Sequence, residues 1–161
     1  MKDAGTLNVT TPTAREIAMT REFAAPRRLV FDTLTKPELV KQWLLGPPGW
    51  SMPVCEIDLK VGGAYRFSWR GPEGNEMGMR GVYREIVAPE RFVATEKFDE
   101  PWYPGEALVT NTLAERGGKT TLTLTVRYES PEARDAVLKT PMSKGVAANY
   151  DRLAEMLAAS V

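Results

Sequence analysis

The stretch SPEARDAVLKTPMSKGVAANYDRLAEMLAASV, residues 130–161, decides the fold. Ser130-Pro131-Glu132 sets an N-cap hydroxyl ahead of a proline at the first helical position. Thr140-Pro141 repeats that signal, so the spacing predicts a short helix over about 131–139 and a longer one to about Ala159. At ~100° per residue, Met142, Val146, Tyr150, Leu153 and Leu157 fall in one narrow stripe, with Lys144, Asp151 and Glu155 opposite. Such a helix has one face to bury. Leu153 and Leu157 read as core. Val146 and Tyr150 are flanked by Gly145 and Asn149, a small residue and an uncommitted amide, and that edge reads as the border of a cavity.

The chain ahead of this helix supplies the surface that receives it. Ile17, Met19, Arg21 and Phe23 alternate with Glu16, Thr20 and Glu22, which predicts a first strand within 14–23. Ala25-Pro26-Arg27 opens a short helix with Leu29, Val30 and Leu34, and Glu38–Trp43 makes a second. Gly46-Pro47-Pro48-Gly49-Trp50 suits neither helix nor strand and reads as a stiff loop flanked by Trp43 and Trp50. A strand follows at Val54–Asp58. In 64–70, Tyr65, Phe67 and Trp69 then share one face while Arg66, Ser68 and Arg70 share the other.

Past the turn-rich GPEGNE (71–76), a strand over about 78–87 turns at Ala88-Pro89-Glu90-Arg91 and returns along 92–98. A two-residue turn there sets Tyr83 opposite Glu96 and Gly81 opposite Phe98. Arg80, Arg84 and Lys97 then occupy the outer face, so Met79, Tyr83 and Phe98 turn inward and bring Glu96 with them. Gly117-Gly118 is a primed turn pairing Leu113 with Leu122, Asn111 with Leu124 and Val109 with Val126. Threonines 110, 112, 121, 123 and 125 dominate the other face. A strand, two short helices, about six further antiparallel strands and a long terminal helix make an α+β domain, with a curved sheet of about seven strands gripping the last helix.

Composition narrows the function. The 161 residues suit one domain, read as 14–161 behind a flexible tail over 1–13. With 21 basic and 21 acidic residues, charge gives no case for nucleic acid or a membrane surface. No apolar run approaches the ~20 residues that cross a bilayer, and MKDAGTLNVTTPT is too polar for a signal peptide. The single cysteine, Cys55, fits a reducing, cytoplasmic setting. There is no histidine, which removes Ser–His–Asp and Cys–His pairs and the commonest transition-metal ligand. We therefore expect no metal and no cofactor.

Four blocks carry a resemblance: DLKVGGAYRFSWRGPEG (58–74), GMRGVYREIVAPERFVATEKFDEPW (78–102), TTLTLTVRY (120–128) and MSKGVAANYDRLAEML (142–157). Together they resemble the family named for the activator of the heat-shock-protein ATPase, within the START-like (SRPBCC) superfamily. The similarity runs from about Glu16 to Ala159. It implies the helix-grip fold and a deep cavity between sheet and terminal helix. It implies little about activity, because the superfamily spans lipid carriers, cyclases and cochaperone modules. Thr140-Pro141 departs from the usual small residue and Gly ahead of Met142.

The candidate site follows from the faces. Phe67, Trp69, Met79, Tyr83, Phe98, Val109 and Leu124 line the sheet side, with Glu96 and Asn111 as its polar members. Met142, Val146, Asn149 and Tyr150 approach from the helix, while Trp43, Trp50, Trp102 and Tyr103 stand at the ends. An apolar lining with a few polar groups is the usual composition of a small-molecule site. The competing reading is a solid core in which Tyr83 and Glu96 hydrogen-bond each other. Three functions stay open: non-catalytic binding of an apolar or aromatic molecule; a cyclase- or hydratase-like enzyme using Glu96 and Tyr83 with Asn111; and a cochaperone-like module with a chaperone partner. A homodimer is compatible with each.

Overall fold

The computed structural model describes residues 6–101, 103 and 105–160. Its elements are β1 (Asn8–Thr10), β2 (Glu16–Phe23), α1 (Arg27–Thr35), α2 (Pro37–Trp43), β3 (Ser51–Ile57), β4 (Ala64–Arg70), β5 (Glu76–Val87), β6 (Arg91–Phe98), β7 (Ala107–Arg116), β8 (Lys119–Arg127), α3 (Pro131–Leu138) and α4 (Met142–Ser160). The strands form one antiparallel sheet in the order β1-β2-β8-β7-β6-β5-β4-β3. Strands β2 and β8, far apart in sequence, lie side by side, and α1 and α2 carry the chain across to β3 at the other edge. The long helix α4 packs on the concave face, which is the helix-grip arrangement.

The helical stretch behaves as its caps require. The Ser130 hydroxyl accepts from the Ala133 N–H at 3.1 Å, with Pro131 at the first turn. On α4, Tyr150, Leu153 and Leu157 are buried among Phe23, Val30, Phe31, Trp43, Phe92 and Leu113. Met142 and Val146, in the helix's first half, are only half-buried. Arg21 holds the helix from the sheet side: 7 % exposed on the inner face of β2, it bonds Asp151 at 2.8 Å.

The β7–β8 hairpin has the register expected of it, with Leu113 on Leu122, Asn111 on Leu124 and Val109 on Val126. Gly117 and Gly118 have φ of 60° and 79°, the pair of positive values a type I′ turn demands. The β5–β6 hairpin departs from expectation. Val87 pairs with Arg91 across a three-residue connection, and a bulge between Tyr83 and Glu85 shifts the register again. Tyr83 lies opposite Ala94, not Glu96, and Met79, not Gly81, lies opposite Phe98. Each shift alone reverses the faces of β5; together they restore them, so Tyr83, Met79 and Glu96 still point inward.

Two smaller differences have plain causes. Asn8–Thr10, expected within a flexible tail, pair with β2 because Val9 and its neighbours satisfy that strand's free edge. This makes eight strands among the described residues, where about seven were expected. Strand β3 begins at Ser51, three residues early, and tolerates Pro53 because it is an edge strand with a register shift between Ser51 and Val54.

Candidate functional site

Where the helix stripe runs out of bulk, the sheet is left partly uncovered. Two adjoining cavities occupy that space. The smaller, about 160 Å³, is bounded by Trp43, Tyr65, Phe67, Tyr83, Phe92, Val109, Asn111 and Tyr150. The larger, about 520 Å³, lies under the N-terminal half of α4 against Trp50, Trp69, Phe98, Tyr103, Tyr128, Val137, Met142 and Gly145. Leu44, Met79, Glu96, Leu124, Val146 and Asn149 line both, so the two are neighbouring compartments of one hollow. Apart from Trp102, the residues expected at the site border one compartment or the other. Trp102 lies outside the described residues.

Several wall residues turn ring surface to the hollow because their polar atoms are engaged elsewhere. The Trp69 indole N–H donates to the Leu44 carbonyl at 2.7 Å, and that of Trp43 to the Thr33 carbonyl at 2.9 Å, leaving ring surface for the hollow. The Tyr65 hydroxyl donates to the Thr95 carbonyl at 2.6 Å, its ring crossing over Gly81. A side chain at Gly81 would meet both that ring and the Thr95 carbonyl oxygen, so the close approach requires glycine. Gly145 is the opposite case. A Cβ there would meet nothing within 4 Å, and the space beside it is the hollow itself.

Asn149 proves committed where the sequence suggested a free amide. Its Oδ1 accepts from Leu45 N–H at 3.1 Å, Gly46 N–H at 2.7 Å and Arg152 Nη1 at 3.0 Å. Arg152 Nη2 also donates to the Gly46 carbonyl at 2.6 Å. Together they fasten the Leu44–Gly46 segment, part of the larger compartment's wall, to α4. A loop whose backbone lacks regular partners is satisfied here by two side chains one helical turn apart.

Glu96 is the acid of the site. It lies half-buried on β6, with its accessible surface bordering both compartments. Burial pushes its carboxyl up to about 7, and no cation among the described residues lines either compartment to offset that shift. The expected Tyr83–Glu96 pair does not form, since the register sets Tyr83 on Ala94. Instead the negative charge of Glu96 is felt by Tyr65, Tyr103 and Tyr128, whose hydroxyls are raised well above the ordinary tyrosine value, chiefly by burial. Tyr128 was missed in the sequence although it continues the Leu122–Leu124–Val126 alternation. Tyr103 packs edge-on against it at 5.1 Å from a connection with no periodicity to read.

Elsewhere the chemistry is quiet. The Cys55 thiol is pushed up to about 11, mainly by burial, and donates to the Pro37 carbonyl at 3.6 Å. A thiol so protonated at neutral pH is a poor nucleophile. On the outer face, Arg66 and Arg80 share Asp99 at 2.6–2.8 Å and Arg70 bonds Glu76 at 2.8 Å. Their charges are thus locally balanced. Among the described residues no three His, Cys, Asp or Glu side chains cluster to hold a metal ion, and no helix is long and apolar enough to cross a membrane.

Comparison with known proteins agrees with this architecture. A crystal structure of a protein from Rhodobacter sphaeroides is 36% identical, with TM-score 0.90 over 95% of this chain and 98% of that one. Proteins from Nitrosomonas europaea and Chromobacterium violaceum, each 27% identical, give TM-scores of 0.82 and 0.77. They cover 93% and 90% of this chain and 98% of each of those. No curated protein matches the sequence. Residues 24–158 match the family described as Activator of Hsp90 ATPase homolog 1-like protein, and with that span and those relatives the chain belongs to this family, a ligand-binding or cochaperone-like fold.

Proposed function

We propose that the protein binds an apolar or aromatic small molecule in the hollow between the sheet and α4, without turning it over. The observation that carries this reading is the larger compartment of about 520 Å³, walled by aromatic and aliphatic side chains and left open by Gly145. A packed core has no voids of that size, and apolar clefts of a few hundred Å³ are where small ligands bind. The lone, unactivated cysteine and the missing histidine favour binding over chemistry, and a single cysteine suits a cytoplasmic setting. The test is calorimetric titration with a neutral aromatic probe, methylnaphthalene. Binding near micromolar, about −8 kcal/mol, is expected, with a loss of roughly tenfold or more in Gly145→Leu, whose side chain fills the space. Absence of binding, or equal binding by that variant, refutes the reading.

One observation favours a catalytic alternative: a carboxyl held near pH 7 can act as general acid or base. A cyclase- or hydratase-like activity would then depend on Glu96, with the hydroxyls of Tyr103 and Tyr128 beside it where Tyr83 was expected. Turnover of a polyketide-like substrate that vanishes in Glu96→Gln would establish it. The family description also raises a chaperone partner, for which stimulated ATPase of a purified Hsp90 is the direct assay.

A further inference from the structure

We propose that the ligand is an amine: an apolar or aromatic body carrying a protonated nitrogen that docks on the Glu96 carboxylate. This rests on the cavity reading above and names the chemistry of its occupant. Glu96 is the only ionisable group other than tyrosine on the described walls of either compartment, and it stands where the two meet. No lysine or arginine lines them among the described residues, and the chain has no histidine. A ligand carboxylate would therefore find no cation and would share the hollow with an acid. Arg21, the buried cation of the inner sheet face, is committed to Asp151 and borders neither compartment.

Among the described residues, the groups that face Glu96 bring it no positive charge. Tyr65 comes from β4, Tyr103 from the β6–β7 connection and Tyr128 from just beyond β8, and all stay protonated through the neutral range. The Tyr65 hydroxyl donates elsewhere, to Thr95. Glu106, exposed on the same connection as Tyr103, adds negative charge. Helix α4 contributes Val146 and Asn149, neither of which titrates, and the Asn149 oxygen is taken up by the Leu45–Gly46 backbone and Arg152. An ammonium group supplies what these walls do not: opposite charge inside an apolar site. The indole and phenol faces of Trp50, Trp69 and Tyr103 add surfaces that attract cations.

The pH dependence gives the inference its signature. Free Glu96 is mostly protonated at pH 6 and mostly ionised at pH 8, since its carboxyl titrates at about 7. An alkylamine stays cationic across that window, so its affinity should rise roughly tenfold from pH 6 to pH 8 as the carboxylate forms. Affinity for a neutral isostere should stay flat or fall. The experiment titrates methylnaphthalene, naphthylmethylamine and naphthoate into the wild-type protein and Glu96→Gln by calorimetry at both pH values. We expect the amine to bind wild type about tenfold or more tighter than naphthoate at pH 8. The rise with pH should disappear in Glu96→Gln. Naphthoate binding as tightly as the amine, or an unchanged pH series in wild type, overturns the amine assignment whatever the variant does. If methylnaphthalene binds while the amine gains nothing, only this inference falls; if none of the three binds, the cavity reading falls with it.

Discussion

The two halves of α4 rest on the same sheet and continue the same stripe, yet one covers a solid core and the other a hollow. Around Leu153 and Leu157 helix and sheet close into a core, and Tyr150, edge-on to Phe23 at 5.7 Å, stands where the hollow begins. Around Met142, Gly145 and Val146 the sheet offers equally apolar walls, but the helix brings too little volume to reach them. Direction is the same in both halves; bulk differs. A hydrophobic period tells which way side chains point, while filling depends on the summed volumes of groups from several strands.

Substitutions can break this comparison. The largest effect is expected of Leu157→Asp, which puts a charge where the side chain is 2 % exposed. An unpaired buried charge costs several kcal/mol, a large part of the ~5–15 kcal/mol that holds a domain together. Thermal melting by circular dichroism should find the variant unfolded or nearly so; a wild-type melting temperature would mean that the helix does not dock there. Truncations come next. Leu153→Ala in the solid half should cost about 2–5 kcal/mol, whereas Met142→Ala beside the hollow should cost under about 1 kcal/mol. Equal losses in urea unfolding would erase the distinction between the halves.

The third effect concerns pH. The Glu96 carboxyl is raised from 4.5 to about 7 on folding, so between those values the native state holds a proton that the unfolded chain has released. Stability therefore falls as pH rises through this window, by at most roughly 3 kcal/mol, and the penalty persists above it. Glu96→Gln should remove it. The variant should be more stable than wild type at pH 8 and nearly equal at pH 4, read from denaturant midpoints. A wild-type advantage at pH 8 would show the carboxylate to be a stabilising group. The smallest effect is expected of Gly145→Leu. The new side chain enters open space and replaces a helix-interior glycine, so stability should hold or rise by about 0.5–1 kcal/mol. A clear loss would mean that the hollow cannot take a side chain.

What the sequence made legible follows the same line. The turn glycines 117 and 118 and the β7–β8 pairing could be read because the loop length fixes register and the threonines mark the outer face. The caps of α3 and the stripe of α4 were equally plain. The three-residue connection at Ala88–Glu90 and the bulge at Tyr83–Glu85 were not, because neither changes the pattern of which residues are apolar. Asn149 was misjudged for a related reason. Its partners, Leu45 and Gly46, are backbone N–H groups about a hundred positions away, and an amide looks the same whether or not it is engaged. Volume was the least legible quantity: Gly145 marked the thin place in the cover, but the size of the space depends on Trp69, Tyr103 and Tyr128 arriving from three different parts of the chain.

The paired irregularities of the β5–β6 hairpin constrain how this chain can change length. Strand β6 is anchored by β7, so Phe92, Ala94 and Glu96 keep their side of the sheet whatever happens at the turn. If β5 kept its length but lost the bulge, alternation would run unbroken from Ile86, which pairs with Phe92, and would carry Arg84, Val82 and Arg80 inward in place of Tyr83, Gly81 and Met79. Two arginines would then enter the hollow, and the tyrosine and methionine that wall it would face water. Deleting the extra residue instead, Arg84, leaves Tyr83 opposite Ala94, and shortening the Ala88–Glu90 connection leaves Val87 opposite Arg91. A one-residue deletion at either place therefore keeps the faces of β5, whereas flattening the bulge at constant length turns them over.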